Sequence, residues 1–116
     1  MSFNHVAVIG LGLLGGSIGL AVQEYLPQMT TSGFDADPAV RDRARERGLV
    51  GTVSENAADA VLGADLVVLC VPVGAMGVAA AAIAPGLSTG AVISDVGSSK
   101  LSVSRGVAAA LPGHTI

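Results

Sequence analysis

Four apolar residues, Val6, Ala7, Val8 and Ile9, run directly into Gly10, Leu11, Gly12, Leu13, Leu14 and Gly15. Three of the four are β-branched and predict a strand, and the stretch after the turn, residues 13–25, predicts a helix ending before Pro27. A strand that turns so abruptly into a helix needs backbone unobstructed by side chains. Gly10 allows the tight turn, Gly12 lets a pyrophosphate approach the main chain, and Gly15 lets the helix pack closely on the strand. Amide donors at the helix start, where the helix carries partial positive charge, suit phosphate oxygens. In a chain with 16 glycines the spacing alone says little. The flanking strand and helix make it specific, and residues 10–15 become candidates for holding a dinucleotide.

Apolar runs and helical stretches alternate along the rest of the chain, which predicts parallel strands joined by right-handed crossovers. Strands are expected at 5–9, 30–35, 50–53, 66–71 and 91–94, with another beginning at 114–116. Helices are expected at 13–25, from Pro38 to a stop at Gly48, from residue 54 to 62, at 74–84 and at 99–111. Asp37 before Pro38 reads as an N-cap followed by proline at the first helical position. The fold class is α/β, a doubly wound parallel sheet of the Rossmann type. The helix at 74–84 is apolar all round, so either it needs cover on a second side or its alanines tolerate exposure.

Length and composition narrow the choice further. At 116 residues the chain forms one domain that buries roughly two thirds of its unfolded surface. All of it, 1–116, reads as a dinucleotide-binding domain cut from something longer. Arg41, Arg43, Arg45 and Arg47 alternate with Asp42 and Glu46 as a solvated helix face, not a nucleic-acid footprint. The two long apolar stretches, 6–22 and 66–94, are broken by glycine and proline, and no cationic region precedes the first, so neither a membrane span nor a signal peptide is expected. The reading is a cytoplasmic protein. Cys70 lies within an apolar run and reads as a buried strand thiol rather than a nucleophile.

Three strand ends carry the polar chemistry. Asp35 closes the second strand about twenty residues beyond Gly15, where a carboxylate meets the adenosine ribose hydroxyls. Its charge favours NAD over NADP; the plainer alternative makes it part of the turn before Asp37. Arg41 and Arg43 keep NADP open. Val71 and Pro72 follow the fourth strand and border the same edge, although proline can simply end a strand. Asp95, Ser98 and Lys100 place a carboxylate, a hydroxyl and an ammonium after the fifth, with helix capping by Ser98 or Ser99 as the alternative.

Residues 6–20 (VAVIGLGLLGGSIGL), 64–73 (ADLVVLCVPV) and 90–100 (GAVISDVGSSK) together resemble the amino-terminal half of the prephenate dehydrogenase family, which includes the arogenate and cyclohexadienyl dehydrogenases of tyrosine biosynthesis. The glycine turn is shared by many dehydrogenases, whereas the Asp-Val-Gly-Ser-x-Lys loop is much more specific. The resemblance implies an NAD-dependent enzyme that oxidatively decarboxylates prephenate or arogenate, a small-molecule substrate, needs no metal, and works as a homodimer when full length. It assigns Ser98 to catalysis and substrate positioning and Lys100 to substrate binding. The family's catalytic histidine precedes a proline roughly twenty residues after the serine. His114 is followed by Thr115 and is not its equivalent; like His5, it reads as structural. The carboxyl-terminal helical domain, which supplies arginines to the substrate carboxylates, is not in this stretch, so the 116 residues alone are expected to bind cofactor weakly and not turn over. Two competing readings are another β-hydroxyacid-type dehydrogenase and a non-catalytic nucleotide-sensing module.

Overall fold

A computed structural model of the chain describes residues 4–95. Five strands, β1 (His5–Ile9), β2 (Thr30–Phe34), β3 (Thr52–Val53), β4 (Leu66–Leu69) and β5 (Val92–Asp95), form one parallel sheet in the order β3-β2-β1-β4-β5. Helices α1 (Leu13–Tyr25), α2 (Pro38–Arg47), α3 (Ala57–Ala60) and α4 (Met76–Ile83) make the crossovers. Short 3-10 turns at Val73–Ala75 and Ala84–Gly86 flank α4.

Strand side chains alternate between the two faces of the sheet, and both faces are covered. Val6, Val8 and Val68 pack with Leu11, Ala44 and Val50, together with Ile18 and Val22 of α1. On the other face Ala7, Ile9, Val67, Leu69 and Ile93 pack against Ala57 and Ala60 of α3 and Met76, Ala80 and Ile83 of α4. Double burial explains why these strands read as unbroken apolar runs rather than as alternating ones.

Several elements are shorter than their sequence patterns. The run expected to stay extended through 71 ends as a strand at Leu69, because β1 turns away at Gly10. The third strand keeps only two paired residues, Thr52 and Val53. The helix expected over 54–62 is one turn, with the Asn56 side chain accepting the Asp59 amide at 2.8 Å. By contrast α2 follows its signals: Asp37 Oδ1 accepts the Ala39 amide at 2.9 Å, Pro38 is the first helical residue, and Gly48 closes the helix at φ 61°. The expected helix at 99–111 and strand at 114–116 lie outside the described residues.

At the amino-terminal edge of the sheet, His5 belongs to a polar network. The Ser32 hydroxyl donates to the Ala60 carbonyl, so His5 Nε2, 2.8 Å from Ser32 Oγ, acts as the donor in that contact. Nδ1 then accepts from the Thr30 hydroxyl, an assignment of a neutral ring inferred from its partners. Beside it, Asp65 accepts the amides of Asn4 and His5 at 2.8 and 3.1 Å. Among the described residues no helix is long and apolar enough to cross a membrane.

Candidate functional site

The sheet register sets the ends of β1, β2 and β4 level with one another and with Asp95 of β5, the last described residue. Ile9 pairs with both Phe34 and Leu69, and Leu69 pairs with Asp95. Strand order reverses between β1 and β4, each leading onward to opposite sides of the sheet, and ligands of such sheets lie outside the carboxyl ends at that point. Gly10 donates its amide to the Phe34 carbonyl at 2.8 Å and Cys70 donates to Ile9 at 2.7 Å, so three segments leave the sheet side by side. There a cavity of about 430 Å³ opens, lined by Gly10, Gly12, Asp35, Val71 and Pro72 among others. Its size is within the range of small-molecule and cofactor clefts.

The three glycines do different things. Gly10 has φ +96°, and a Cβ there would lie 2.5 Å from the Cys70 carbonyl oxygen. A Cβ on Gly15 would fall 1.7 Å from the carbonyl oxygen of Gly10, so the helix could not sit this close to the turn with any larger residue. At Gly12 a Cβ would meet nothing within 4 Å. Gly12 is also the N-cap of α1 and brings no side chain to the helix's first amides. Of the three, Gly12 is the one at which the fold does not require glycine, and there open space and amide donors coincide.

Asp35 joins the glycine turn to the turn after β2. Its Oδ2 accepts the Leu11 amide at 2.9 Å and its Oδ1 accepts the Asp37 amide at 2.9 Å. The carboxylate thus serves the local turn, as the plainer sequence reading had it, and also lines the cavity. Leu11 is buried beneath the sheet edge and contributes through its backbone, whereas Leu13 and Leu14 are exposed at the start of α1. Ser98, Lys100 and His114 lie outside the described residues.

Two sequence expectations need correction. Arg41 is not on a solvated face: its side chain is only 14% exposed, its guanidinium lies 5.5 Å from the centroid of the Phe34 ring, and Nη1 donates to the Asp35 carbonyl at 2.8 Å. Charge alternation along α2 could not reveal this, because Phe34 arrives from another element. Cys70 is not a strand residue; it is half-buried one position beyond β4 and lines the cavity. Burial pushes its thiol up to about 11, so it stays protonated near neutrality and is a poor nucleophile.

Sequence reasoning missed one wall of the cavity. Val78, Ala79 and Ala82 of α4 line it together with Phe34 and Ala57. The signal was present in the all-round apolarity of that helix: Met76, Ala80 and Ile83 enter the core, while Val78 borders the cavity.

Comparison with known proteins places this geometry in a family. The model of the prephenate dehydrogenase nucleotide-binding domain matches residues 18–116. A cyclohexadienyl dehydrogenase of Zymomonas mobilis is 49% identical over 114 residues, covering 98% of this chain and 39% of the relative. A prephenate dehydrogenase of Lactococcus lactis is 33% identical over 98 residues, covering 84% of this chain and 27% of the relative. The chain therefore spans well under half the length of these curated relatives. Among solved structures, Synechocystis arogenate dehydrogenase superposes with a TM-score of 0.81 at 24% identity over 95% of this chain and 38% of that one. Aquifex aeolicus prephenate dehydrogenase, in complex with hydroxyphenyl propionate and NAD+, superposes with a TM-score of 0.78 at 22% identity over 92% of this chain and 39% of that one. These two likenesses speak for the fold. Because the family model matches residues 18–116, most of this chain, the chain belongs to the nucleotide-binding domain family of the prephenate dehydrogenases.

Proposed function

We propose that the chain is the NAD-binding unit of a dehydrogenase that converts prephenate to 4-hydroxyphenylpyruvate with loss of carbon dioxide, with arogenate as the alternative substrate. The observation that carries this reading is the meeting of Gly12 and Asp35 at one cavity, open space beside amide donors at one and a fixed carboxylate at the other. In the proposed complex the glycine turn, residues 10–15, receives the pyrophosphate, Asp35 accepts from the adenosine ribose hydroxyls, and Val71 and Pro72 form the wall after β4. The negative charge of Asp35 favours NAD by repelling a 2′-phosphate.

When bound, the nicotinamide accepts hydride, and departure of carbon dioxide leaves an aromatic ring, which drives the oxidation. Ser98 orients the substrate hydroxyl and Lys100 pairs with a substrate carboxylate. Their assignment is supported by the register of β5, since Asp95 lies level with Ile9 and Leu69 and Ser98 follows shortly along the chain. The proton of that hydroxyl passes to a histidine of the longer polypeptide, as the family resemblance implies. That longer protein acts as a cytoplasmic homodimer on a small molecule, without nucleic acid or membrane.

The test is reduction of NAD at 340 nm by the full-length protein supplied with prephenate or arogenate. Turnover with either is expected. No turnover with both, or a tenfold or larger efficiency advantage for NADP, overturns the corresponding part of the reading. Ser98→Ala is expected to lower kcat more than it weakens NAD binding, and an unchanged rate removes Ser98 from the mechanism.

A further inference from the structure

Resting on the NAD reading above, we propose that Glu55 is a specificity-determining residue. It is the shared counter-ion that holds Arg41 and Arg45 away from the adenosine ribose, so that the corner accepts a free 2′-hydroxyl and rejects a 2′-phosphate. Glu55 lies between β3 and α3, two residues before Ala57, which lines the cavity. Its Oε1 takes a hydrogen bond from Arg45 Nη2 at 2.7 Å, and its Oε2 lies 3.3 Å from Arg41 Nε.

The two arginines are engaged differently. Arg45 is also paired with Asp42 at 3.2 Å and donates to the Val53 carbonyl at 3.3 Å. Arg41 is stacked over Phe34 and bonded to the backbone of Asp35, the residue whose carboxylate lines the cavity. Its Nε makes an ion-pair distance to Glu55 but no hydrogen bond, so a buried donor is held by charge alone. Such a donor has unspent hydrogen-bonding capacity, and Glu55 is the charge that neutralises it.

Charge placement points the same way. Of the described charged groups around the cavity only Asp35 lines it; Asp42 and Glu55 pair with Arg41 and Arg45 behind it, and Arg43 and Arg47 of α2 border a separate cleft with Gly12. A phosphate monoester adds roughly −1.5 to −2 charge at neutral pH. It would meet the Asp35 carboxylate, while the Arg41 and Arg45 guanidiniums are already paired. The 2′-hydroxyl of NAD brings no charge and needs only an acceptor, which Asp35 provides. Removing the Glu55 charge while keeping its shape takes away the one counter-ion the two guanidiniums share, leaving Arg41 held by Phe34 and the Asp35 carbonyl and Arg45 by Asp42 and the Val53 carbonyl, and it removes one repulsive carboxylate. A buried arginine that looks like a latent NADP residue is thus kept silent by a residue ten or more positions further along the chain.

The experiment compares wild type and Glu55→Gln in the full-length protein, titrating NAD+ and NADP+ separately by calorimetry. The ratio of the NADP+ to the NAD+ dissociation constant is expected to fall about tenfold in the variant, the scale of one relieved charge contact. The fall is expected to shrink as sodium chloride is raised from 0.05 to 0.5 M, because freed surface charges are screened. Glu55 is largely exposed, so the variant is expected to fold, and Glu55→Lys is a second variant for which the ratio should fall further. An unchanged ratio in both variants, or a change that is flat with salt, overturns the assignment of Glu55 while leaving the NAD reading standing. A wild type that binds NADP+ more tightly than NAD+ overturns both.

Discussion

Gly12 and Gly15 lie three positions apart and should answer one added methyl group in opposite ways. At Gly15 the new Cβ would overlap the Gly10 carbonyl, so Gly15→Ala is expected to cost about 3 kcal/mol of stability. At Gly12 the space is open and φ is −70°, so Gly12→Ala should cost no more than about 1 kcal/mol, the loss of a favourable N-cap residue. Its NAD affinity should nevertheless fall by about tenfold or more, through obstruction of the pyrophosphate. Thermal melts paired with nucleotide titration check both, and equal loss of stability in the two variants would contradict the assignment of Gly12 to ligand rather than fold. His5 gives a pH dependence of known sign. Desolvation holds its pKa below 6.5, with the nearby Asp65 carboxylate opposing in part. The folded state therefore binds fewer protons than the unfolded one between the lowered value and 6.5. Stability is full above that window, falls as pH drops through it, and levels off below. Asp65 acts at lower pH. Desolvation alone would raise its pKa, but the amides of Asn4, His5 and its own residue, with the His5 charge, hold it below 3.8. Its contribution is lost as pH falls through that depressed value. Urea midpoints at pH 7.5 and pH 5 should differ in wild type, and the difference should shrink in His5→Gln.

Among the elements, α2 is the one whose local chemistry determines it most directly. Asp37→Ala removes the acceptor of the Ala39 amide and is expected to cost about 1 kcal/mol, whereas Asp37→Asn keeps an acceptor and should cost less. Denaturant midpoints of the two variants check the order. The same cap shows what was legible beforehand. Asp37, Pro38 and Gly48 act within a few residues of one another, so the sequence pattern and the structure agree there. The limits of β3 and β4 depend on where neighbouring strands stop, and no local pattern carries that information. The bond from Leu11 to Asp35 depends on the β1 and β2 register, which pairs Ile9 with Phe34. The position of Asp35 could be read from its spacing to Gly15, but its grip on the glycine turn could not. Arg41 was misread for a related reason: its charged neighbours are sequential, while Phe34 and Glu55 reach it only in the folded chain.

At the scale of the whole molecule, the alternation of runs and helices was enough to anticipate the doubly wound architecture, while the α4 wall of the cavity needed the assembled sheet. Since the cavity draws on β1, β2, α3, α4 and the segment after β4 together, a nucleotide that binds there stabilises the domain as a unit. NAD at a hundred times its dissociation constant is expected to add about 2.7 kcal/mol. A melting temperature that does not rise with NAD would contradict a preformed site. Parallel strands also give the sheet two unlike ends. One holds the cavity, Asp35 and the glycine turn; the other holds His5, Ser32 and Asp65. Selection on ligand chemistry and selection on acid tolerance therefore act on separate sets of residues, and a lineage can move one trait by mutation without trading away the other.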